Sequence, residues 1–273
     1  GNVMKNKLLA SIMCCATLLS CTVFAEQSIV RINNTQYEVH IKGEGQNTIV
    51  FESGFGTGAT TWDSLTDYLG SDYKTIAYSR VGTGKTTPSD QTLSIEQHVS
   101  ELRELTKAMG VSKPFALVGH SYGGLVATEF ARAYPDALRA LVLIDPAVRA
   151  QRTIFKELNA KRIESDDAML LKYMPKHLVD DYQVLIKQMD ASSKVIEPIS
   201  NQVPTVLFTS TKVSEQPFVF EETQQGKDVW LKLHNALFEN VEQGQHYLIN
   251  DSGHNIHIDK APQVATAITT LLK

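Results

Sequence analysis

The most reactive arrangement in this chain is Gly119-His120-Ser121-Tyr122-Gly123-Gly124, a G-x-S-x-G stretch set between an apolar run, Phe115 to Val118, and a segment of helical period over 123–134. A serine at so tight a strand-to-helix turn must take a strained backbone conformation, and side chains in place of the flanking glycines would collide with the neighbouring strand and helix. The helix that follows directs its first amides and positive end toward the hydroxyl, where negative charge would develop on an attacked carbonyl. These features suit a nucleophile; the same residues in an open loop would be a turn and nothing more. Serine is a weak nucleophile at neutral pH, so Ser121 needs a base within hydrogen-bond reach and a third group to orient that base. Eight histidines are available.

The elbow, taken with the order of elements around it, resembles the α/β-hydrolase superfamily, and the resemblance covers nearly the whole chain after residue 25. It implies an oxyanion-hole loop after an early strand, where Ser53-Gly54-Phe55-Gly56 stands. Ser53-Gly54 replaces the usual histidine-glycine pair. Because the donors are backbone N–H groups, by resemblance those of Phe55 and Tyr122, this departure need not remove the function. Tyr78-Ser79-Arg80-Val81-Gly82-Thr83-Gly84 is similar to the family's Asp-Arg-x-Gly-x-Gly turn, with Ser79 in place of the acid. The resemblance makes His254 the base, since Asp251-Ser252-Gly253-His254 follows the last strand and precedes Pro262 and the terminal helix. The acid stays open between two positions. Asp145 ends the strand 141–144, a place some superfamily members use, whereas Glu215 lies in the loop after the strand 203–208, displaced from the commoner place. Asp145 is preferred; its bland alternative is a turn cap before Pro146.

Other motifs carry less. His120 is expected to be a packed or hydrogen-bonded neighbour pointing away from the reaction. His257 makes an H-x-x-H with His254, but no further ligand cluster accompanies it, so no metal is expected. Gly82-Thr83-Gly84-Lys85-Thr86 ends like a phosphate loop, yet Ser79 stands where that motif needs its first glycine, so no nucleotide or other cofactor is expected.

The elements that must hold these residues are short β-branched runs alternating with helical stretches, the pattern of parallel strands joined by crossover helices. Strands are read at 48–52, 75–78, 115–118, 141–144, 203–208 and 247–249. Ser94 caps a helix with Gln97 as its capping-box partner, and Gly110 stops it. Trp62, Leu65 and Leu69 form a core-facing stripe. Residues 147–200 break the rhythm, being helical and charged, and read as a small helical cap inserted into a single α/β domain, 26–273, whose mostly parallel sheet is flanked by helices.

Lys5 and Lys7 precede an uncharged stretch from Leu8 to Phe24 that ends in Val23-Phe24-Ala25, the pattern of a signal peptide over 1–25, with Gly1 to Val3 an addition or upstream start. The three cysteines, Cys14, Cys15 and Cys21, all lie inside it, so the remaining domain has no thiol. Leu18-Leu19-Ser20-Cys21 also resembles a lipobox, and cleavage after Ala25 or a lipid anchor at Cys21 both stay open. Export to the periplasm or medium is expected, without a membrane span. Removing 1–25 takes two lysines and no acid, moving the net charge from −4 to −6 and arguing against nucleic-acid partners. The function expected is hydrolysis of a small carboxylic ester, lactone or thioester through an acyl-enzyme on Ser121. Acyl transfer from the same intermediate, and a non-catalytic ligand-binding protein of this fold, are the alternatives.

Overall fold

A computed structural model describes residues 26–273; the signal-peptide pattern and Cys21 lie outside the described residues. Eight strands form one sheet in the order β1-β2-β4-β3-β5-β6-β7-β8. They are β1 (Glu26–Ile32), β2 (Thr35–Lys42), β3 (Asn47–Glu52), β4 (Tyr73–Tyr78), β5 (Phe115–His120), β6 (Leu138–Ile144), β7 (Thr205–Ser210) and β8 (Gly244–Ile249). From β4 to β8 every neighbouring pair runs parallel, whereas β1 and β2 are antiparallel. The β1–β2 hairpin turns on Asn33-Asn34, with Asn33 at φ 53°, a left-handed conformation that asparagine tolerates better than most residues.

The central strands read as continuous apolar runs because both faces of the sheet are covered. Val50, Ile76, Leu117, Leu143 and Leu207 face one core, built with α2 (Ile95–Ala108), α3 (Tyr122–Ala133) and α6 (Gln224–Phe238). Their alternating neighbours Ile49, Phe51, Val118, Val142 and Phe208 face the other, closed by Trp62, by α1 (Asp63–Leu69) and by α8 (Ala261–Leu271). Trp62, Leu65 and Leu69 are all buried, as their spacing predicts. The Ser94–Gln97 capping box opens α2, each side chain bonded to the other residue's backbone N–H.

Between β6 and β7 lie two further helices, α4 (Gln151–Tyr173) and α5 (Lys176–Asp190). Asn159 breaks α4 with φ −155° and ψ 74°, and its side chain accepts the N–H of Arg162, restarting the helix as an internal cap. Arg152 ties the two helices together, donating to Asp167 on α4 and Asp190 on α5. A short helix α7 (Ile256–Asp259) follows β8. No helix among the described residues is long and apolar enough to cross a membrane.

Candidate functional site

The loops that leave the carboxyl ends of β3, β5, β6, β7 and β8 converge at one edge of the sheet, where open α/β sheets place their ligands. Ser121 sits at the turn from β5 into α3 with φ 55° and ψ −122°, strained for a residue bearing a Cβ. Glycine is required beside it because the turn brings α3 against β3 and β5. A Cβ on Gly123 would lie 2.2 Å from the Glu52 carbonyl oxygen, and one on Gly119 would lie 2.5 Å from that of Gly123.

His254, in the loop after β8, stands with Nε2 2.7 Å from Ser121 Oγ and Nδ1 2.6 Å from Asp145 Oδ2. Both sequence candidates for nucleophile and base thus meet, and Asp145, not Glu215, is the carboxylate on the imidazole. Asp145 is fully buried and takes φ 45° at the end of β6. Its other oxygen accepts from the Ser210 backbone N–H at 2.9 Å and the Trp230 indole at 2.8 Å. Burial opposes its ionisation, but the hydrogen bond and positive charge of His254 prevail and hold it below the usual carboxylate range. Burial likewise opposes a charge on His254, yet the Asp145 bond and carboxylate outweigh it and raise its pKa. Nδ1 therefore carries the proton toward Asp145, leaving Nε2 free to accept from the serine.

The loop after β3 brings Gly54 against the elbow: a Cβ there would be 3.5 Å from that of Ser121. Arg80, buried after β4, positions this loop, donating to the Ser53 and Gly54 carbonyls and to Glu52. Ser53 accepts the Trp62 indole N–H. The Tyr122 amide opens α3 and so has no intrahelical acceptor. The ring of Phe55 packs edge-on to Tyr122 and Tyr182. The carboxylate that Ser79 lacks comes from the adjacent strand β2, where Glu38 Oε1 accepts from Ser79 Oγ and from the Lys85 amide.

The sequence reading missed a second charged pair beside the histidine. Lys227, buried on α6, bonds Glu221 at 3.1 Å and the hydroxyl of Ser210 at 3.4 Å. Lys227, Trp230 and His234, spaced i, i+3, i+7, form one polar stripe of α6 aimed at the Asp145-Pro146 turn. That inward polar stripe was the available signal. His120 lies behind the site, its Nε2 bonded to the His254 carbonyl oxygen at 2.9 Å and its ring over that of His257 at 4.1 Å.

Asp145, Glu221 and His254 offer ligand atoms within 4.8 Å of one another. A cation there would have to break the Asp145–His254 bond, and the second Asp145 oxygen already accepts two N–H donors. The arrangement is a hydrogen-bonded relay, and the donor set does not fit a metal. Nor is the Gly82-Thr83-Gly84 turn open to a phosphate in the manner of a phosphate loop, because the amides of Thr83, Lys85 and Thr86 already donate to the Arg80 carbonyl, the Glu38 carboxylate and the Thr83 carbonyl.

A mostly parallel sheet with a strained serine on the elbow after β5, and a histidine after the last strand, defines the class of α/β hydrolases. The family model described as "Alpha/beta hydrolase family" matches residues 49–267. The chain belongs to that family and is a hydrolase by class. It is 29% identical over 231 residues to YqjL of Bacillus subtilis, covering 84% of this chain and 85% of that one. An esterase from Thermogutta terrifontis superposes with TM-score 0.60 at 18% identity, covering 91% and 98% of the two chains. Epoxide hydrolase VrEH1 from Vigna radiata superposes with TM-score 0.70 at 16% identity, covering 91% and 97%. At these identities the likeness is one of fold.

Proposed function

We propose that the protein is a serine hydrolase of small carboxylic esters, lactones or thioesters, working through an acyl-enzyme on Ser121. The observation that carries this reading is the continuous chain from Ser121 Oγ to His254 to Asp145, with links of 2.7 and 2.6 Å. Ser121 Oγ attacks the carbonyl carbon while its proton passes to His254 Nε2. The carbonyl oxygen becomes an oxyanion facing the Phe55 and Tyr122 amides, each such donor being worth about 3 to 4 kcal/mol in the transition state. As the tetrahedral intermediate collapses, the bond to the leaving oxygen or sulfur breaks and that atom takes the proton from His254. Water, deprotonated by the same nitrogen, then attacks the acyl carbon; the bond to Ser121 Oγ breaks, Oγ takes the proton back from His254, and the carboxylic acid leaves.

Labelling with a fluorophosphonate, combined with ester turnover, tests this. The wild-type protein should label and hydrolyse p-nitrophenyl esters, and Ser121→Ala should do neither, losing roughly 10⁴- to 10⁶-fold in kcat. An unlabelled, inactive wild type would favour a ligand-binding protein. Predominant transfer to a dilute added alcohol would favour an acyltransferase. The reading also includes export directed by residues 1–25, which mass determination of the processed N-terminus checks, separating an end at residue 26 from an acylated Cys21.

A further inference from the structure

Two cavities that differ in polarity meet at the catalytic residues and share Val219 and Glu221 along their common border. One, of about 230 Å³, is bordered by Phe55, Ser121 and Tyr122 at its floor and walled by the helical insertion and the loop before α6. Its apolar lining comes from Phe155, Ile163, Leu170, Leu185, Ile186 and Met189. The other, of about 600 Å³, is bordered by Gly253 and His254 and mixes charged and polar side chains, Lys212, Glu215, Glu221 and Lys227 among them, with Val213 and Val219. Ser121 borders only the first of these two cavities and His254 only the second.

The tetrahedral geometry of acyl transfer turns this asymmetry into an assignment. The attacked carbon carries the serine oxygen, the oxyanion, the leaving group and the acyl chain. The leaving atom must lie beside His254, which protonates it, and the oxyanion must lie toward the Phe55 and Tyr122 amides. The acyl chain takes the remaining direction, over Ser121 and into the apolar chamber. We propose that the substrate is an ester joining a neutral, apolar acyl group of about nine carbons or fewer to a polar alcohol, with the acyl chain under α4 and α5 and the alcohol in the cleft beside Lys227 and Glu221. The size follows from comparison with an apolar cavity of ~150 Å³ that accepts benzene.

Neutrality follows from the chamber's polar groups. Arg152, the only cationic side chain lining the chamber among the described residues, donates to Asp190 through Nε at 2.8 Å and to Asp167 through both terminal nitrogens at 2.9 and 2.7 Å. The Tyr182 hydroxyl also donates to Asp167, and Asp166 accepts from Arg162 and the Phe220 amide. These groups satisfy one another, so an acyl group bearing a carboxylate would find no cation there and would lose its hydration.

The inference rests on the serine-hydrolase reading and is tested with two ester series measured beside fluorophosphonate labelling. In the first, acyl length runs from two to twelve carbons on p-nitrophenol; in the second, the alcohol runs from methyl to octyl, with glycerol as the polar member, on a hexanoyl group. We expect kcat/KM to rise about threefold per acyl methylene up to roughly eight or nine carbons and then fall. Alkyl alcohols should gain less than twofold per methylene, and a terminal carboxylate on the acyl chain should cost at least a hundredfold. In Leu170→Trp and Ile186→Trp, at half-buried chamber positions, the octanoyl-to-acetyl ratio of kcat/KM should fall about tenfold in at least one variant. Labelled, active protein whose chain-length gain lies on the alcohol side overturns the assignment, as does an unchanged ratio in both correctly folded variants. Absence of both labelling and turnover overturns the hydrolase reading instead.

Discussion

At the scale of single residues, the site is a problem of where protons reside. In the proposed reaction His254 must be neutral to accept the Ser121 proton, and its pKa is raised because Asp145, with a smaller contribution from Glu221, outweighs burial. The acid limb of kcat/KM should therefore lie above the ordinary imidazole value of about 6.5. Glu221→Gln removes a negative charge near the imidazole, so the limb should move to lower pH in a pH–rate profile; a shift upward, or none, would show that Glu221 does not act on His254. Asp145→Asn should be far more damaging. It leaves a group that cannot accept the Nδ1 proton in the same way, and kcat should drop by about 10⁴ while the fold, followed by circular dichroism, persists.

Among the elements, α6 matters beyond its place in the core. Its stripe of Lys227, Trp230 and His234 meets the ends of β6 and β7, and Trp230 supplies one of the two donors to the Asp145 oxygen that His254 does not use. A hydrogen bond to a charged group contributes about 1.5 to 3 kcal/mol. Trp230→Phe, which keeps an aromatic ring in the core, should lower the melting temperature and reduce kcat about tenfold or more, as steady-state kinetics would show. Arg80 does comparable work on the opposite flank, fastening the loop after β3 through the carbonyls of Ser53 and Gly54. The loop is thereby fixed with serine at position 53: Arg80 holds backbone atoms, and Trp62 donates to the serine hydroxyl.

For the whole molecule, buried histidines set a pH limit on stability. Burial lowers the pKa of His120 well below the ordinary value and pushes those of His234 and His257 down to about 4. In the unfolded chain all three would bind protons below about 6.5, so their contribution is fully present above that pH and is lost as pH falls toward 4. His254, with its raised pKa, offsets part of the loss because its charged form is favoured in the fold. Thermal melts from pH 7.5 to 4.5 should show a steady fall in melting temperature, and His234→Gln should flatten the slope; an unchanged slope would assign the acid sensitivity elsewhere. The same molecule shows where reading the chain alone stops. The strands, the capped α2 and the elbow around Ser121 were legible because each is encoded within a few consecutive residues, by apolar runs, a Ser-x-x-Gln cap or glycines that no other residue can replace. The β1–β2 hairpin was not resolved because its pairing lies at the sheet edge, with weak alternation and only an Asn-Asn turn to mark it. The choice between Asp145 and Glu215, the Arg80 clasp and the Lys227–Glu221 pair join residues distant in sequence. Those contacts exist only because the β6–β7 register and the packing of α6 bring them within hydrogen-bond length. Local stereochemistry determined which residue types stand ready for chemistry; three-dimensional packing decided their partners, since hydrogen bonds and desolvation act across a few ångströms of space whatever the separation along the chain.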